Sequence, residues 1–339
     1  MSEETCRIGV IGAGSWGTAL AHLCAGRGHR VTLWAFEREV VDGVNRERKN
    51  PLYMSGVTLA EGVTATGDLE QAMRGADLLL FVIPSQHVRA QLRAARALFR
   101  PEVPVVICSK GIERGTLATL DRVFTEELPE ACHGSLAVLS GPSFALEVAR
   151  NMPTNVTVAA RDAVLARRVQ SLVATHAFRV YTTDDVIGVE MGGALKNVMA
   201  IAVGVADGLG FGDNTRAALM TRGLAEITRL AVAMGGRPET MLGLAGMGDL
   251  VLTCTGEQSR NRHVGKLLGQ GKDIASIQRE MRMIAEGVPT AESGNALAQK
   301  RGVDCPITHQ VYRVLYEGIT VAEGMAALQA RTLKEEWRT

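Results

Sequence analysis

The chain has 339 residues, enough for two domains at roughly 150 residues each. It carries 37 Lys and Arg against 36 Asp and Glu, a net charge of +1, which argues against the one-sided basic face of a nucleic-acid binder or of a protein held at anionic membranes. With 46% hydrophobic and 22% charged residues it has the composition of a folded globular chain, not a disordered one.

The elements alternate along the first half. Arg7–Ile11 reads as a buried strand, followed by a helix from about Thr18 to Ala25 that stops near Gly26 and Gly28. Further strands are expected at 30–36, 77–84, 103–109 and 136–140, with two more at 155–159 and 178–181. The run Asp77-Leu-Leu-Leu-Phe-Val-Ile-Pro84 is apolar almost throughout, as a strand covered on both faces must be. Strand and helix in alternation predict a doubly wound, largely parallel sheet.

Near Asp184 the pattern changes to helical periodicity broken by glycines. The fold expected is therefore α/β plus all-α: a Rossmann-type domain over 1–183 and a helical domain over 184–339. The stretch 186–209 is apolar enough to suggest a membrane span. It also holds Glu190, Lys196 and Asp207, whose charges are costly inside a bilayer. The six cysteines show no CxxC spacing, which suits free thiols in a reducing compartment. The N-terminus, Met-Ser-Glu-Glu-Thr, lacks the apolar run of a secretory signal. These features place the protein in the cytoplasm as an expectation, without membrane insertion.

Gly12-Ala-Gly14-Ser-Trp-Gly17 is G-x-G-x-x-G, set between a predicted strand and a predicted helix. In that context the first glycine allows the tight turn and the second lets backbone approach a pyrophosphate. The third allows close helix–strand packing, and the helix N-terminus turns free N–H groups on the anion. Twenty residues beyond Gly17 stands Glu37, followed by Arg38. An acid there accepts from the ribose 2′-hydroxyl of NAD, whereas an Arg accommodates the 2′-phosphate of NADP. The adjacent charges leave the choice of NAD(H) or NADP(H) open.

Five segments carry candidate chemistry. Lys110 follows a predicted strand end, the ligand edge of an open α/β sheet. Ser140-Gly-Pro-Ser-Phe-Ala145 forms a rigid turn with exposed N–H groups and hydroxyls. Lys196 lies in an otherwise apolar, hence buried, helix; burial disfavours its ammonium form and suits it to exchange a proton with a carbinol. Gly243-Leu-Ala-Gly-Met-Gly-Asp249 adds a carboxylate, and Ser259-Arg-Asn-Arg262 could hold an oxyanion. No His, Cys or carboxylate set has metal-ligand spacing, so no metal is expected.

The motifs 12–18, 109–111, 140–145, 192–197 and 248–262, in this order, resemble those of the bacterial-type NAD(P)-dependent glycerol-3-phosphate dehydrogenases. The resemblance runs from Ile8 to about Ala330. It implies interconversion of sn-glycerol 3-phosphate and dihydroxyacetone phosphate, supplying phospholipid synthesis. It implies Lys196 as the proton acceptor on the substrate hydroxyl. The implied substrate set is Lys110, Gly141, Ser143, Asp249, Ser259, Arg260 and Asn261, together with Lys196. Around the cofactor it implies Gly12, Gly14, Ser15, Trp16, Gly17, Phe36 and Tyr53, then Lys110, Ala145, Arg260, Ile284 and Glu286. Thr253 and Asn197 are further candidates for the active site. The implied partners are a phosphorylated small molecule and a second copy in a homodimer.

The sequence departs from the family at Phe36-Glu37, where many members carry basic residues. Two other readings compete. A β-hydroxyacid dehydrogenase would recognise a carboxylate, and a dinucleotide sensor would bind without turnover.

Overall fold

The computed structural model describes residues 5–281, 283–333 and 335–336. The described chain separates into two compact units. One holds the residues up to Ser109 together with Leu120–Val186; the other holds Lys110–Thr119 and the residues from Ile187 on. The boundary anticipated at 183/184 thus falls at 186/187. The segment Lys110–Thr119, counted with the sheet on sequence grounds, belongs to the helical unit, because the apolar side chain of Ile112 is fully buried in that unit's core.

The first unit is built on an eight-stranded sheet: β1 (Arg7–Ile11), β2 (Arg30–Trp34), β3 (Val63–Thr66), β4 (Leu78–Phe81), β5 (Val105–Ile107), β6 (Leu136–Ser140), β7 (Thr154–Ala159) and β8 (Phe178–Thr183). Their order is β3-β2-β1-β4-β5-β6-β7-β8. All neighbours run parallel except β6 and β7. The first six positions have the dinucleotide-binding order 3-2-1-4-5-6. β3 was not anticipated: Val-Thr-Ala-Thr is short and half threonine, and it is an edge strand paired only with β2.

Between β1 and β2 lies the helix Ser15–Gly26. Its Ala19, Leu20, Leu23 and Cys24 are buried in the core with Ile8, Val10, Val31 and Leu33 of the sheet. Burial of these aliphatic faces contributes on the order of 25 cal/mol per Å² of apolar surface removed from water.

In the second unit the central element is the helix Val186–Gly208. It is the one helix among the described residues long and apolar enough to cross a membrane, yet 89% of its apolar window is buried inside the protein. Its neighbours approach unusually closely. A Cβ on Gly204 would sit 2.1 Å from the carbonyl oxygen of Arg262, and one on Gly265 2.0 Å from that of Ile201. Gly204 and Gly208 on this helix thus face Gly265 and Gly269 of the helix Arg260–Gly269. Glycine at these positions lets two backbones meet where any side chain would hold them apart. All six cysteines are free thiols.

Candidate active site

In the first unit, β1 delivers the chain into the glycine turn. Gly12 has φ of 115°, and a Cβ there would lie 2.7 Å from the carbonyl oxygen of Val82. A Cβ on Gly17 would lie 1.8 Å from the carbonyl oxygen of Gly12. These two glycines are therefore dictated by packing. Gly14 differs: a Cβ on it would meet nothing within 4 Å. It stands at the N-cap of the helix Ser15–Gly26, where no side chain caps the first turn. No side chain thus caps the N–H groups of Trp16 and Gly17 in that turn, and there is space before them at Gly14. The indole Nε1 of Trp16 is buried without a hydrogen-bond partner. Open space at Gly14, uncapped N–H groups and an orphaned donor together fit a dinucleotide pyrophosphate.

Phe36 and Glu37 follow β2. Phe36 is 84% exposed, and Glu37 Oε1 accepts a hydrogen bond from the Tyr53 hydroxyl at 2.7 Å. Ser15 Oγ donates to the carbonyl oxygen of Tyr53 at 2.9 Å. Elsewhere in this unit, Gly141 follows β6 with φ of 135°, and Ser143 Oγ donates to its carbonyl oxygen at 3.1 Å. Ala145 opens the short helix Ala145–Ala149. Ser140 Oγ is buried without a partner.

The second unit assembles the charged residues. Lys196 projects from the central helix, Asp249 begins the helix Asp249–Thr255, and Lys110 begins the segment contributed from between β5 and β6. Asp249 bridges the two lysines, with Lys196 Nζ 2.7 Å from Oδ1 and Lys110 Nζ 2.5 Å from Oδ2. Lys196 also donates to Thr253 Oγ1 at 2.7 Å, and Thr253 in turn donates to the Asp249 carbonyl oxygen at 2.6 Å. Gly192 explains how the loop before Asp249 reaches the helix: its Cβ would lie 2.5 Å from the carbonyl oxygen of Ala245.

Lys196 and Asp249 are 8% and 1% exposed. Burial pulls the Lys196 pKa down from its ordinary value to about 8, and Lys110 adds to that; Asp249 opposes it. For Asp249, burial works against ionisation, but Lys110 and Lys196 outweigh it and hold the carboxyl below its usual range. The result is an ionised carboxylate holding a lysine poised near neutrality.

The remaining predicted residues divide by role. Ser259 caps the helix Arg260–Gly269, its Oγ accepting from Arg262 N at 3.2 Å. Arg262 is committed to Asp207, its Nε 2.6 Å from Oδ2, and Asp207 is also paired with Arg216 at 2.8 Å. It is thus structural. Asn261 Nδ2 donates to Asn197 Oδ1 at 2.9 Å, and its Oδ1 accepts from Gly287 N at 2.8 Å. This places Asn197, next to Lys196, in the same network. Arg260 has no hydrogen bond or ion pair among the described residues; burial lowers its pKa, and the Glu286 carboxylate opposes that. Glu286 is at the N-cap of the helix Gly287–Arg301, and Ile284, 46% exposed, lies two residues before it. Among the described residues, no three His, Cys, Asp or Glu side chains cluster as metal ligands.

The sequence reading missed Asn50. It is fully buried and donates through Nδ2 to the Ala13 carbonyl oxygen and to Thr18 Oγ1, both at 2.8 Å. An Asn before a Pro reads only as a turn residue, and no local signal separates the two roles.

Comparison with known proteins identifies the family. The model of the NAD-dependent glycerol-3-phosphate dehydrogenase N-terminus matches residues 7–166, and that of the C-terminus matches 185–326. A glycerol-3-phosphate dehydrogenase [NAD(P)+] of Geobacter sp. (strain M21) is 55% identical over 330 residues, covering 97% of this chain and 98% of that protein. One from Geobacter metallireducens is 56% identical with the same coverage. The crystal structure of a glycerol-3-phosphate dehydrogenase from Coxiella burnetii superposes with a TM-score of 0.92 at 39% identity, covering 96% of this chain and 99% of that one. A glycine turn shaped for a dinucleotide, a buried lysine on a carboxylate and full-length likeness to these proteins lead to one assignment: the chain belongs to the NAD(P)-dependent glycerol-3-phosphate dehydrogenase family.

Proposed function

We propose that the chain interconverts sn-glycerol 3-phosphate and dihydroxyacetone phosphate with a nicotinamide dinucleotide, and that it supplies glycerol 3-phosphate to phospholipid synthesis. The observation that carries this reading is the buried Lys196, held by Asp249 and Thr253 beside Lys110. The dinucleotide, when bound, supplies or accepts the hydride. Lys196 handles the accompanying proton. Two of its N–H directions are taken by Asp249 and Thr253. The third is left for the substrate oxygen, as an N–H in the ammonium form or as a lone pair in the amine form. Asp249 fixes this orientation and offsets the cost of the buried cation.

Lys110 and Arg260 carry charge suited to an anionic substrate, Arg260 with a fork of donors that matches a phosphate. Gly141, Ser143, Ser259 and Asn261 complete the proposed substrate set, although Ser259 and Asn261 also have structural bonds. For the cofactor the proposal retains Gly12, Gly14, Ser15, Trp16, Gly17, Phe36, Tyr53, Lys110, Ala145, Arg260, Ile284 and Glu286. The sheet unit is read as the dinucleotide-binding part and the helical unit as the substrate-binding and catalytic part. A cytoplasmic homodimer is the form in which we expect the enzyme to act.

The test is reduction of dihydroxyacetone phosphate by the purified protein, followed by loss of reduced-nicotinamide absorbance. Lys196→Ala should lower kcat by about 10²–10⁴-fold, the usual contribution of a positioned acid–base group. Dissociation constants for the dinucleotide should stay within about twofold, less than the 1.4 kcal/mol that a tenfold change represents. Near-normal turnover in that variant removes Lys196 from its role. Tight dinucleotide binding without turnover of the triose phosphate would favour a sensor or a β-hydroxyacid enzyme.

A further inference from the structure

The surroundings of Glu37 settle a choice that the adjacent charges Glu37 and Arg38 leave open. We propose that Glu37, oriented by Tyr53, selects the dinucleotide without a 2′-phosphate, so that this chain binds NADH in preference to NADPH. The inference rests on the reading of the sheet unit as dinucleotide-binding, and it makes Tyr53 a positioning residue.

The placement follows from the sheet. β1 and β2 are parallel neighbours with Ile11 beside Trp34, and Gly12 N donates to the Trp34 carbonyl oxygen at 3.2 Å. The segment after β2 therefore emerges alongside the glycine turn, where the adenosine ribose of a bound dinucleotide lies in this fold. Glu37 occupies the N-cap of the helix Arg38–Glu47, yet its side chain makes no capping bond. It turns instead to Tyr53, using Oε1 and leaving Oε2 without a partner among the described residues. Arg38 does the opposite. Its side chain is 95% exposed and approaches Asp42, one helical turn on, at 3.9 Å. Of the two charges, only the carboxylate is fixed.

Tyr53 is itself tied to the glycine turn. Its N–H donates to Asn50 Oδ1 at 3.0 Å, and its carbonyl oxygen accepts from Ser15 Oγ. The buried Asn50 is bonded in turn to Ala13 and Thr18. Gly43 lets the helix Arg38–Glu47 close on this loop, since a Cβ there would lie 2.7 Å from Pro51 Cδ. The distance from the glycine turn to the Glu37 carboxylate is thereby set by a chain of hydrogen bonds through Asn50 and Tyr53. The bond to Glu37 also raises the Tyr53 pKa to about 12, so the phenol remains a donor throughout the working range.

The discrimination is chemical. A ribose 2′-hydroxyl can donate to Oε2. A 2′-phosphate near neutral pH carries negative charge and has only acceptor oxygens towards a carboxylate, so it is repelled. The exposed ring of Phe36 offers a face to the adenine of either dinucleotide and does not discriminate.

The experiment measures dissociation constants of NADH and NADPH for the full chain by nicotinamide fluorescence, alongside KM for dihydroxyacetone phosphate. The wild type should bind NADH at least about tenfold more tightly, as one misplaced charge commonly achieves. Glu37→Gln keeps the shape and removes the charge, and should bring the two constants within about threefold of each other. Tyr53→Phe should weaken NADH binding by about threefold to tenfold, the worth of one orienting hydrogen bond, with the triose phosphate KM unchanged. In a Glu37→Ala background the same change should have no effect on NADH, because Tyr53 acts through Glu37. NADPH bound as tightly as NADH by the wild type would overturn the proposal and leave the dinucleotide reading intact. An equal Tyr53→Phe effect in both backgrounds would overturn the positioning role. Binding of neither dinucleotide would bring down both readings.

Discussion

Lys196 is a residue whose environment and chemistry give one testable number. Burial lowers its pKa to about 8, and Asp249 opposes that fall. Oxidation of the alcohol requires the amine form, so kcat/KM for glycerol 3-phosphate should rise with pH and level off above about pH 8. Reduction requires the ammonium form, so kcat/KM for dihydroxyacetone phosphate should fall through the same region. Asp249→Asn removes the charge that favours the ammonium, and both inflections should move to lower pH. Parallel pH–rate profiles in the two directions check this. Inflections that stay fixed in the variant would show that another group governs the proton. The three residues were readable singly as a buried lysine, a loop lysine and a loop carboxylate. Their meeting was implied by the family resemblance alone, because Lys110 and Asp249 stand 139 residues apart and no local pattern records so distant a contact.

At the scale of elements, the central helix of the second unit is positioned by glycine contacts. A Cβ on Gly265 would lie 2.0 Å from the Ile201 carbonyl oxygen, and backbone cannot rotate away as a side chain can. Gly265→Ala should therefore force the two helices apart and cost about 1–3 kcal/mol, the usual penalty of overpacking. It should also lower kcat, because Asn261 on the displaced helix is bonded to Asn197, the neighbour of Lys196. Gly26→Ala is the matched control: beyond its chain neighbours and its own helix backbone, its Cβ would meet nothing within 4 Å, and the change should stay within about 0.5 kcal/mol. Urea midpoints and turnover of the two variants make the comparison. Loss of stability in both, or in neither, contradicts the contact argument.

Legibility at this scale followed burial. β1 and β6 fall at the residues expected, Arg7–Ile11 and Leu136–Ser140, because strands in the interior of a covered sheet are nearly continuous apolar runs. The strand expected to reach Phe36 ends at Trp34, and the exposed Phe36 lies beyond it. β3 escaped notice because its strand character comes from its register with β2 and not from its own side chains. Tyr53 and Glu37 illustrate the same limit: their bond depends on how a loop folds back over a helix, which neither segment encodes alone.

For the molecule as a whole, the chain does not divide by a single cut. Residues Lys110–Thr119 leave the sheet unit and return to it. Ile112 and Leu117 of this segment pack in the helical core, and Ser293 Oγ donates to the Ile112 carbonyl oxygen at 3.0 Å. Arg114 pairs with Glu292 at 2.7 Å. A fragment of residues 187–339 would lack this segment, and with it both Lys110 and part of the core. Such a fragment should unfold without a sharp urea transition, whereas the helical unit within the full chain should keep one. A cooperative fragment with full helical circular dichroism would show that the segment is dispensable for folding.

The same segment has a consequence for how the protein is made. Ile112 leaves the ribosome with the strands on either side of it, but Ser293, which holds its carbonyl, is 181 residues further along. At about 5–20 residues per second, that is a delay of roughly 10–35 s. During that time the sheet can form around a loop whose apolar side chains have no destination yet. The part of the sequence that carries Lys110 to Asp249 is thus also the part that nascent-chain chaperones have most reason to shield.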